Sequence, residues 1–335
     1  MSPGFGREQS SRGVVLGRFY PPHRGHASLL RRALEEVDEL TVIVSHRKDE
    51  KIPGELRARW LGEIAPTAEI LLVPDLEDGA DPKTWADYTL GMLGRSPDLL
   101  FTSDPEADAY AEYLGSDHWV FDKDRVSNPV SSEDIRRRPL DHWHYLQGGA
   151  QAFFAVRVVV IGAESTGTTT MAESLAAHYE TVWVPEFGRT YSEGKRYTSA
   201  LQWDTSEFTF VAEQQNRMEE ELATQANKVL ICDTDCFAVR VWHEHYLGFM
   251  SPEIDKLCAG RRAHLYLLTD TDIPFIQDGT RSSEHVTQTM HDRFVEELTE
   301  HNKHFVVLSG PVEERKQAAV DAVDDLMASN PTHLE

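Results

Sequence analysis

The sequence predicts an α/β protein of two domains, each a parallel sheet flanked by helices. Three observations carry this prediction. The chain has 335 residues, more than one ordinary domain usually holds. Short β-rich runs alternate with helix-like stretches along it. The alternation then starts again at Val156, where a near-continuous apolar run, VRVVVIG, is typical of a strand buried on both faces.

The first α/β series follows a polar leader, residues 1–12. Apolar patterning predicts strands at 13–19, 39–45, 68–73, 98–102 and 118–121, and helices at 25–36 and 53–64. Pro53 opens the second of these helices, a favourable first-turn position.

The second series has its later strands at 229–232, 264–268 and 304–308, with helices between them. We therefore predict a first domain over 13–145, a linker over 146–155 that contains Gly148-Gly149, a second domain over 156–328, and a tail over 329–335.

The composition narrows the class of protein. Lys and Arg number 33 against 56 Asp and Glu, a formal charge of −23. Proteins that grip nucleic acid need clustered cations, so this charge argues against such a role as the main one. The chain is 40% hydrophobic and 27% charged, which indicates a folded globular protein.

Cysteine usage and hydrophobic runs indicate a cytoplasmic enzyme. The three cysteines are odd in number and lack C-x-x-C spacing, which predicts neither a disulfide framework nor a zinc site. We expect them to be small buried side chains in a reducing compartment. No apolar run reaches the roughly 20 residues needed to span a bilayer, and the N-terminus lacks the apolar region of a secretory signal.

The first candidate site lies where the first strand meets its helix. The stretch reads GRFYPPHRGH and places His23 and His26 around Gly25 at a helix start. Backbone N–H groups at such an N-terminus attract phosphate, and glycine lets the chain approach closely. A histidine there can stabilise the charge that builds on a transferring nucleotidyl group. A lone histidine would more often be a capping or core residue. The block also includes Gly17, Arg18 and Phe19.

This block resembles the H-x-G-H signature of the nucleotidylyltransferase superfamily, in the form G-x-F-x-P-x-H-x-G-H. A second stretch, VSSEDIR at 130–136, resembles the I-S-x-T-x-I-R motif of the same superfamily, although acidic residues precede Ile-Arg here. The resemblance implies that Ser131, Ser132 and Arg136 hold the phosphates of ATP. Arg137 and Arg138 fit a solvated charge run instead.

The second candidate site is a glycine-rich loop after the Val156 strand. Its spacing matches the P-loop pattern G-x-x-x-x-G-K-[ST], whose backbone N–H groups wrap phosphates, but Thr168 stands at the lysine position. Threonine supplies no positive charge to a transferring phosphoryl group. By itself the loop could be a turn without a ligand. The candidate phosphate-binding residues are Gly162, Glu164, Ser165, Thr166, Gly167, Thr168, Thr169 and Thr170.

Three further features favour a nucleotide site. Asp233 ends an apolar strand, as in the Walker B arrangement that holds magnesium through its water shell. Glu186 follows the strand after the P-loop helix and could take the proton of a substrate hydroxyl. The stretch 272–281, DIPFIQDGTR, has the composition of a mobile lid that delivers Arg281.

Taken together, residues from about 13 to 325 resemble the NadR-type proteins, which join an NMN adenylyltransferase to a ribosylnicotinamide kinase. The resemblance rests on both motifs of the first domain, on the G-x-E-S-x-G loop, on E-[YF]-x-R at Glu186, on D-T-D at Asp233, and on D-x-P-[WF]-x-x-D-G-x-R. It implies two reactions: NMN and ATP give NAD and pyrophosphate, and nicotinamide riboside and ATP give NMN and ADP.

The resemblance also implies roles for single residues. Glu186 and Asp233 would serve catalysis, and Thr169 and Asp233 would hold Mg²⁺ with ATP. Arg189 and Asp235 would contact the riboside or its magnesium. Asp278 and Arg281 would belong to the lid.

Several alternatives stay open. The second domain could be a working kinase in which Arg189 or Arg281 covers for the lysine, or a nucleotide or riboside sensor without turnover. The first domain could serve a different acceptor. Trp85 could stack on a base, although packing is the safer expectation. About twelve residues precede the first strand, so we expect no DNA-binding module. We also expect no membrane partner, because no apolar run is long enough to span a bilayer. The sequence leaves a homo-oligomer open.

Overall fold

The computed structural model describes residues 10–76, 79–124, 126–195, 202–261, 263–272 and 284–330. The chain divides into two compact units, one through Ala150 and one from Gln151. The division falls inside the segment 146–155 that we predicted as a linker, and this segment contains the helix Gly149–Phe154.

The first unit is a five-stranded sheet with every strand pair parallel. The strands lie in the order β3-β2-β1-β4-β5. Their bounds are β1 Arg12–Gly17, β2 Glu39–His46, β3 Glu69–Pro74, β4 Leu99–Thr102 and β5 Asp117–Val120. The helices are α1 Arg24–Glu36, α2 Gly54–Ile64, α3 Pro82–Leu93, α4 Asp108–Leu114, α5 Ser132–Arg137 and α6 Gly149–Phe154, the last of which crosses the division.

The second unit is also a parallel five-stranded sheet, in the order β10-β9-β6-β8-β7. Its strands are β6 Val156–Gly162, β7 Trp183–Val184, β8 Val229–Asp233, β9 Leu265–Thr269 and β10 Phe305–Leu308. Its helices are α7 Thr168–His178, α8 Phe187–Lys195, α9 Thr205–Ala223, α10 Cys236–Leu247, α11 Pro252–Cys258, α12 Glu284–Glu300 and α13 Val312–Ala328.

These two sheets confirm the predicted fold class. β1 and β6 are the central strands of their sheets; β1 is buried over half of its length and β6 over most of it. The carboxyl ends of parallel strands meet at one edge, where open α/β sheets bind ligands. Both candidate loops follow a central strand at that edge, so the fold places each of them where a ligand site is expected.

Several element boundaries differ from the prediction by one or two residues, and two of these shifts have a local backbone reason. β1 ends at Gly17 instead of Phe19, because Phe19 has a φ of 47° and leaves the extended conformation. α2 starts at Gly54, and Pro53 is its N-cap residue instead of its first helical residue. Both shifts lie within the one or two residues by which helix and strand ends vary.

The expectation that the cysteines form no disulfide is wrong. Cys236, at the start of α10, is bonded to Cys258, at the end of α11. The Cα atoms are 5.5 Å apart, inside the range that a disulfide requires. The pair is 22 residues apart in sequence, and packing of α10 and α11 on each other brings it together, so local spacing could not reveal it. Cys232 is free and buried, as expected.

Candidate functional sites

The loop after β1 is shaped around Phe19. Its side chain is buried, and a Cβ on Gly17 would lie 3.3 Å from its ring. The ring also meets the imidazole of His26 edge-on, with centroids 5.0 Å apart. Gly17 and Phe19 therefore act here through packing, because they fix where the following histidines lie.

His23 and His26 begin α1 together. His23 is the N-cap, and its Nδ1 accepts a hydrogen bond from the backbone N–H of Gly25 at 3.1 Å. The backbone N–H of His23 donates in return to Nδ1 of His26 at 3.2 Å. This is a capping box made of two histidines, in which two N–H groups of the first turn find acceptors. The ring centroids lie 3.9 Å apart.

The capping bonds determine which ring nitrogen carries the proton. Because Nδ1 of His23 and of His26 each accepts from a backbone N–H, the neutral ring carries its proton on Nε2. Each imidazole can thus present an Nε2–H donor to a phosphate oxygen. Gly25 is required beside them, since a Cβ there would lie 2.8 Å from the His23 ring.

Helix α5 is joined to this loop by Ser132 and Arg136. The hydroxyl of Ser132 donates to the carbonyl of Pro21 at 3.0 Å, and the guanidinium of Arg136 donates to the carbonyl of Tyr20. The structure therefore brings the two sequence motifs of the first unit together. Within the described ranges no carboxylate lies within ion-pair distance of Arg136, so its charge is available to an anion.

Ser131 and Asp134 form a second capping box. The Ser131 hydroxyl accepts from the N–H of Asp134, and the Asp134 carboxylate accepts from the N–H and hydroxyl of Ser131, at 3.0 and 2.6 Å. These bonds hold the pKa of Asp134 below its ordinary value. The acidic residue that departed from the superfamily motif thus has a structural role. The spacing S-x-x-D was the signal that could have predicted it.

Sequence reasoning missed the centre of the first site, Tyr20. The guanidinium groups of Arg136, Arg57 and Arg18 lie 4.5, 5.1 and 5.7 Å from its ring centroid. A cation is attracted to an aromatic face at such distances. Tyr20 occupies a variable position of the motif, and the three arginines come from distant segments, so no local signal predicts the cluster.

Two of these arginines are already neutralised. Arg57 is fully buried, donates to the carbonyls of Ile52 and Ser45, and pairs with Glu50. Burial lowers the pKa of Arg57. Arg18 also pairs with Glu50 and is about half exposed. Arg57 is therefore a structural residue of the site, whereas the Arg18 side chain remains partly exposed to solvent.

Trp85 lies near the start of α3 and is partly buried against the core that includes Val73 and Leu100. Its ring is 6.1 Å from that of Tyr88. Trp85 thus has a packing role at the end of the sheet that carries the loop, and base stacking by it stays a prediction.

In the second unit, the loop from Gly162 to Thr170 has the turns of a phosphate-binding loop. Ser165 and Gly167 have φ values of 68° and 92°. The Thr166 hydroxyl donates to the carbonyl of Ala163 at 2.7 Å and lies 2.6 Å from that of Thr269. Thr166 is buried beneath the loop, so its predicted contact with nucleotide can come only from its backbone.

Thr169 and Asp233 meet at the end of the neighbouring strand. The Thr169 hydroxyl donates to Oδ2 of Asp233 at 2.5 Å. Asp233 is 1% exposed, and its pKa is raised by burial, while hydrogen bonds from Thr169 and Thr168 oppose that shift. The hydroxyl of Thr168 therefore lies on the Asp233 side of the loop.

The loop opens into a cavity of about 680 Å³. Glu186 lines it, and burial and the charge of Asp233 raise the pKa of Glu186. Arg189 lies 3.4 Å from Glu186 and is the one arginine or lysine among the described residues that line the cavity. The predicted residues on the wall are Gly162, Glu164, Ser165, Gly167, Thr168, Thr169, Thr170, Glu186, Arg189 and Asp233.

Asp235 does not line this cavity, contrary to its predicted contact with substrate or magnesium. It is the N-cap of α10, and its carboxylate accepts from the N–H of Ala238 at 2.9 Å and from the hydroxyl of Tyr266 at 2.7 Å. Burial raises its pKa. Its side chain turns into the core because it caps the helix.

Aromatic side chains that sequence reasoning missed form one wall of the cavity. Trp203 packs against Phe208 and Tyr246, with centroids 4.9 and 6.0 Å away, and Trp242 lies 6.2 Å from Tyr246. Lys195 lies over the Trp203 ring at 4.6 Å and pairs with Glu207. Trp203 and Phe208 come from one stretch of the chain, and Trp242 and Tyr246 lie four residues apart on α10. This i, i+4 spacing was the signal that could have indicated a shared helix face.

The donor set near Asp233 suits magnesium. Mg²⁺ keeps most of its water and takes one or two protein oxygens beside the nucleotide phosphates. The Thr169 hydroxyl and the Asp233 carboxylate supply such oxygens. Across the part of the chain that the structure describes, no group of three His, Cys, Asp or Glu side chains is placed to bind a metal alone. Asp278 and Arg281 lie outside the described residues.

Comparison with known proteins assigns the same two parts. A cytidylyltransferase-like family model matches residues 14–138, and an AAA domain model matches residues 157–315. The Escherichia coli (strain K12) protein named trifunctional NAD biosynthesis/regulator protein NadR is 29% identical over 329 residues, which cover 90% of this chain and 80% of that protein. Its Salmonella typhimurium counterpart is 29% identical, with 96% and 85% covered.

A further relative and two solved structures are similar to the chain. A nicotinamide-nucleotide adenylyltransferase of Haloarcula marismortui is 27% identical over 139 residues, which cover 39% of this chain and 71% of that protein. A crystal structure of NadR in complex with NR superposes with a TM-score of 0.80 at 21% identity, over 96% of this chain and 97% of that one. A NadR structure with NAD and AMP-PNP gives 0.75 at 20%, with the same coverage.

Fold, sites and relatives define a protein class, in which a nucleotidyltransferase-type domain precedes a P-loop domain. Within it, the chain has the two-domain architecture of the NadR-type proteins, and the resemblance inferred from the sequence is confirmed. No described helix is long and apolar enough to cross a membrane.

Proposed function

We propose that this chain is an enzyme of NAD biosynthesis with two activities. The first unit transfers the adenylyl group of ATP to nicotinamide mononucleotide, which gives NAD and pyrophosphate. The second unit phosphorylates nicotinamide riboside with ATP, which gives nicotinamide mononucleotide and ADP. The observation that carries the proposal is the pair of histidines that caps α1, joined to α5 through Ser132 and Arg136, in a chain with NadR relatives along most of its length.

In the first unit, the histidines would stabilise the reacting phosphate. The mononucleotide phosphate attacks the α-phosphorus of ATP, the bond to the β-phosphate oxygen breaks, and pyrophosphate leaves. The Nε2–H groups of His23 and His26 would donate to oxygens that gain charge in the transition state. Arg136 would bind the departing phosphates, because its position is fixed by Tyr20 and its charge is not neutralised by a described carboxylate.

In the second unit, Glu186 would act as the base. Burial and Asp233 raise its pKa, which makes the carboxylate a better proton acceptor for the riboside hydroxyl. Bound with ATP, Mg²⁺ would neutralise phosphate charge, held through Thr169 and Asp233. The backbone N–H groups of the loop would hold the phosphates, and Arg189 would add a positive charge. Trp203, Trp242 and Tyr246 would contact the nicotinamide ring.

A second candidate function applies to the second unit, because Thr168 occupies the lysine position. In that case the cavity binds nucleotide or riboside as a sensor without turnover. Intact protein incubated with ATP, Mg²⁺ and each acceptor, with pyrophosphate and ADP measured separately, discriminates between the two. We expect pyrophosphate alone with the mononucleotide. With the riboside we expect ADP and, as the mononucleotide formed is consumed by the first unit, pyrophosphate as well. Riboside binding without ADP above background would establish the sensor.

The substitution His23→Ala tests the first activity. We expect NAD formation from the mononucleotide to fall about 10²- to 10³-fold, because a preorganised donor to the reacting phosphate is lost. Riboside-dependent ADP formation by the same protein should be unchanged and serves as the internal control. His144→Ala, at an exposed position of the first unit, is the matched variant and should retain NAD formation. Intact NAD formation in His23→Ala would refute the assignment.

The cytoplasmic location, the lack of a DNA partner and the state of oligomerisation stay predictions. A different acceptor for the first unit would show itself as pyrophosphate release with another phosphate ester in place of the mononucleotide.

A further inference from the structure

Arg315 is a buried arginine that neither proposed reaction uses. It lies in the first turn of α13, and 2% of its surface is exposed. Only a guanidinium that is fully hydrogen-bonded is tolerated at such depth. Its partners therefore show what the residue holds in place.

The Arg315 guanidinium joins three loops at the carboxyl edge of the second sheet. Nε donates to the carbonyl of Gly310, after β10, at 2.8 Å. Nη2 donates to the carbonyl of Asp270, after β9, at 3.2 Å, and forms an ion pair with Asp272. Nη1 donates to the carbonyl of Thr166, in the phosphate-binding loop, at 3.4 Å. One side chain thus fixes the loop relative to its two neighbours.

The contact with Thr166 bears directly on phosphate binding. The carbonyl of Thr166 and the N–H of Gly167 belong to one planar trans peptide, in which the two groups point in opposite directions. A guanidinium behind the loop that holds this carbonyl therefore directs the N–H of Gly167 to the opposite side. A cation at the carbonyl also polarises the peptide, which strengthens its N–H as a donor.

Thr166 is held from the same side by a second group. Its hydroxyl lies 2.6 Å from that of Thr269, which itself donates to the carbonyl of Ile161 at 3.2 Å. Gly162 completes this packing, since a Cβ there would lie 2.0 Å from the Thr269 hydroxyl. Side chain and backbone of Thr166 are thus both fixed from beneath the loop.

We infer that Arg315 is a positioning residue that orients and polarises the phosphate-binding loop in a chain whose loop carries Thr168 instead of lysine. Arg315 acts through the peptide of Thr166 and Gly167 and touches no substrate. Its positive charge lies behind the loop, where it supports the N–H donors that must hold the phosphates without a lysine. The expected change in kinase turnover rests on the kinase function proposed above. The expected change in nucleotide binding does not, because binding is measured without turnover.

The test uses the full chain and the double substitution R315M/D272N, which removes the buried charge without leaving Asp272 unpaired. Hydrogen–deuterium exchange of the peptide 162–170 is measured against rising concentrations of AMP-PNP with Mg²⁺. This local readout separates the second unit from nucleotide bound in the first. We expect the concentration for half-protection to rise about tenfold, the effect of losing a charge-assisted interaction. Arg315→Lys, which keeps the charge, should recover part of the loss.

The matched control is R217M/E221Q, an exposed ion pair on α9, which should bind AMP-PNP as the unaltered chain does. In the kinase assay, R315M/D272N should raise the KM for ATP and leave the KM for riboside unchanged. Thr168→Lys should increase the affinity for ATP more in the R315M/D272N background than in the unaltered chain.

Equal half-protection in R315M/D272N and the unaltered chain overturns the inference, as does an equal rise of both KM values. If the unaltered chain forms no riboside-dependent ADP, the kinase function is refuted. If AMP-PNP nevertheless protects the peptide 162–170 in the unaltered chain and this protection is lost in R315M/D272N, the role of Arg315 is supported. Absence of any protection in the unaltered chain refutes both.

Discussion

Both units place a glycine-containing loop after the central strand of a parallel sheet, but the charges around the two loops are opposite. In the first unit, Arg18, Arg57 and Arg136 gather around Tyr20. In the second, four carboxylates and one guanidinium line the described part of the cavity. These residues are Glu164, Glu186, Glu193, Asp233 and Arg189. The same topology thus supports two different electrostatic solutions.

Both units contain a buried acid that is paired with arginines. In the first unit, the Glu50 side chain pairs with Arg18 and Arg57. In the second, Glu297 pairs with Arg240 and Arg293. Only the second unit adds Glu219 and Asp235, for which no described side chain forms an ion pair and whose pKa values burial raises. Under the proposed function, the first site would meet a triphosphate with Arg136 and the exposed part of Arg18. The second would depend on backbone N–H groups, on Mg²⁺ brought with ATP, and on a cationic substrate group such as the pyridinium of nicotinamide riboside.

The largest expected effect comes from Glu186→Gln, which removes the proposed base of the acidic site. We expect riboside-dependent ADP formation to fall about 10²- to 10⁴-fold. Because burial and Asp233 raise the pKa of Glu186, the unaltered chain should lose kcat as pH falls through that raised pKa, when the carboxylate becomes protonated. The measurement is kcat for ADP release against pH, with NAD formation as the control of intact protein.

Glu193→Gln is the matched variant, since Glu193 lines the same cavity, on helix α8, which begins directly after Glu186. It should keep the acid limb of the pH profile with a much smaller loss of rate. If both substitutions lower kcat for ADP release equally, the negative charge of the cavity and not a specific base accounts for the effect. The contrast between the two sites would then be purely electrostatic.

The sequence located both sites because each lies in a local pattern. The block that contains His23, His26 and Gly25 and the loop 162–170 follow strands that hydrophobic runs make visible. Parallel strands then bring both to the ligand-binding edge of their sheets. Walker B Asp233 was predictable for the same reason, because it ends the apolar run of β8.

The contacts that support the sites could not be predicted, even for Arg136, which the motif itself indicated, because the partners are distant in sequence. Arg315 holds a carbonyl 149 residues away, and Arg136 holds one 116 residues away. Asp235 was assigned to the site by the resemblance of its D-T-D stretch to the family motif, but its capping bonds turn its side chain into the core. Position in the sequence determines where the backbone lies, whereas tertiary packing determines which groups each side chain contacts.

A smaller effect is expected on stability when an unpaired buried acid of the second unit is made neutral. Burial raises the pKa of Glu219 to about 8. Between its ordinary value of 4.5 and about 8, the unfolded chain releases the Glu219 proton while the folded chain retains it, so folding stability falls as pH rises. From pH 6 to pH 8 this loss is roughly 2 kcal/mol, and Glu219→Gln should abolish it.

The measurement is urea unfolding at pH 6 and pH 8, followed by maleimide labelling of Cys232 and mass analysis of its peptide. Cys232 is free and fully buried in β8, so its labelling reports on unfolding of the second sheet. Glu213→Gln, at an exposed position of the same helix α9, should keep the pH dependence. If the unfolding free energy of Glu219→Gln has the same pH dependence as that of the unaltered chain, burial of Glu219 does not destabilise the second unit at high pH.

The smallest expected effect tests the cationic cluster of the first unit. Tyr20→Leu removes the aromatic face shared by three guanidinium groups and should raise the KM for ATP in NAD formation about fivefold, the loss of contacts worth up to about 1 kcal/mol each. Tyr20→Phe keeps the ring and loses only the bond from the N–H of Lys51 to the phenol oxygen, so its KM should stay near that of the unaltered chain. Tyr113→Leu, at an exposed aromatic of the same unit, is the control.

Since Arg136 is the arginine nearest the Tyr20 ring, a Tyr20→Leu effect on the KM for ATP but not for the mononucleotide would confirm that the ring positions cations for the triphosphate. Equal losses in the Leu and Phe variants would instead assign the role to the phenol and remove the electrostatic contrast between the two sites.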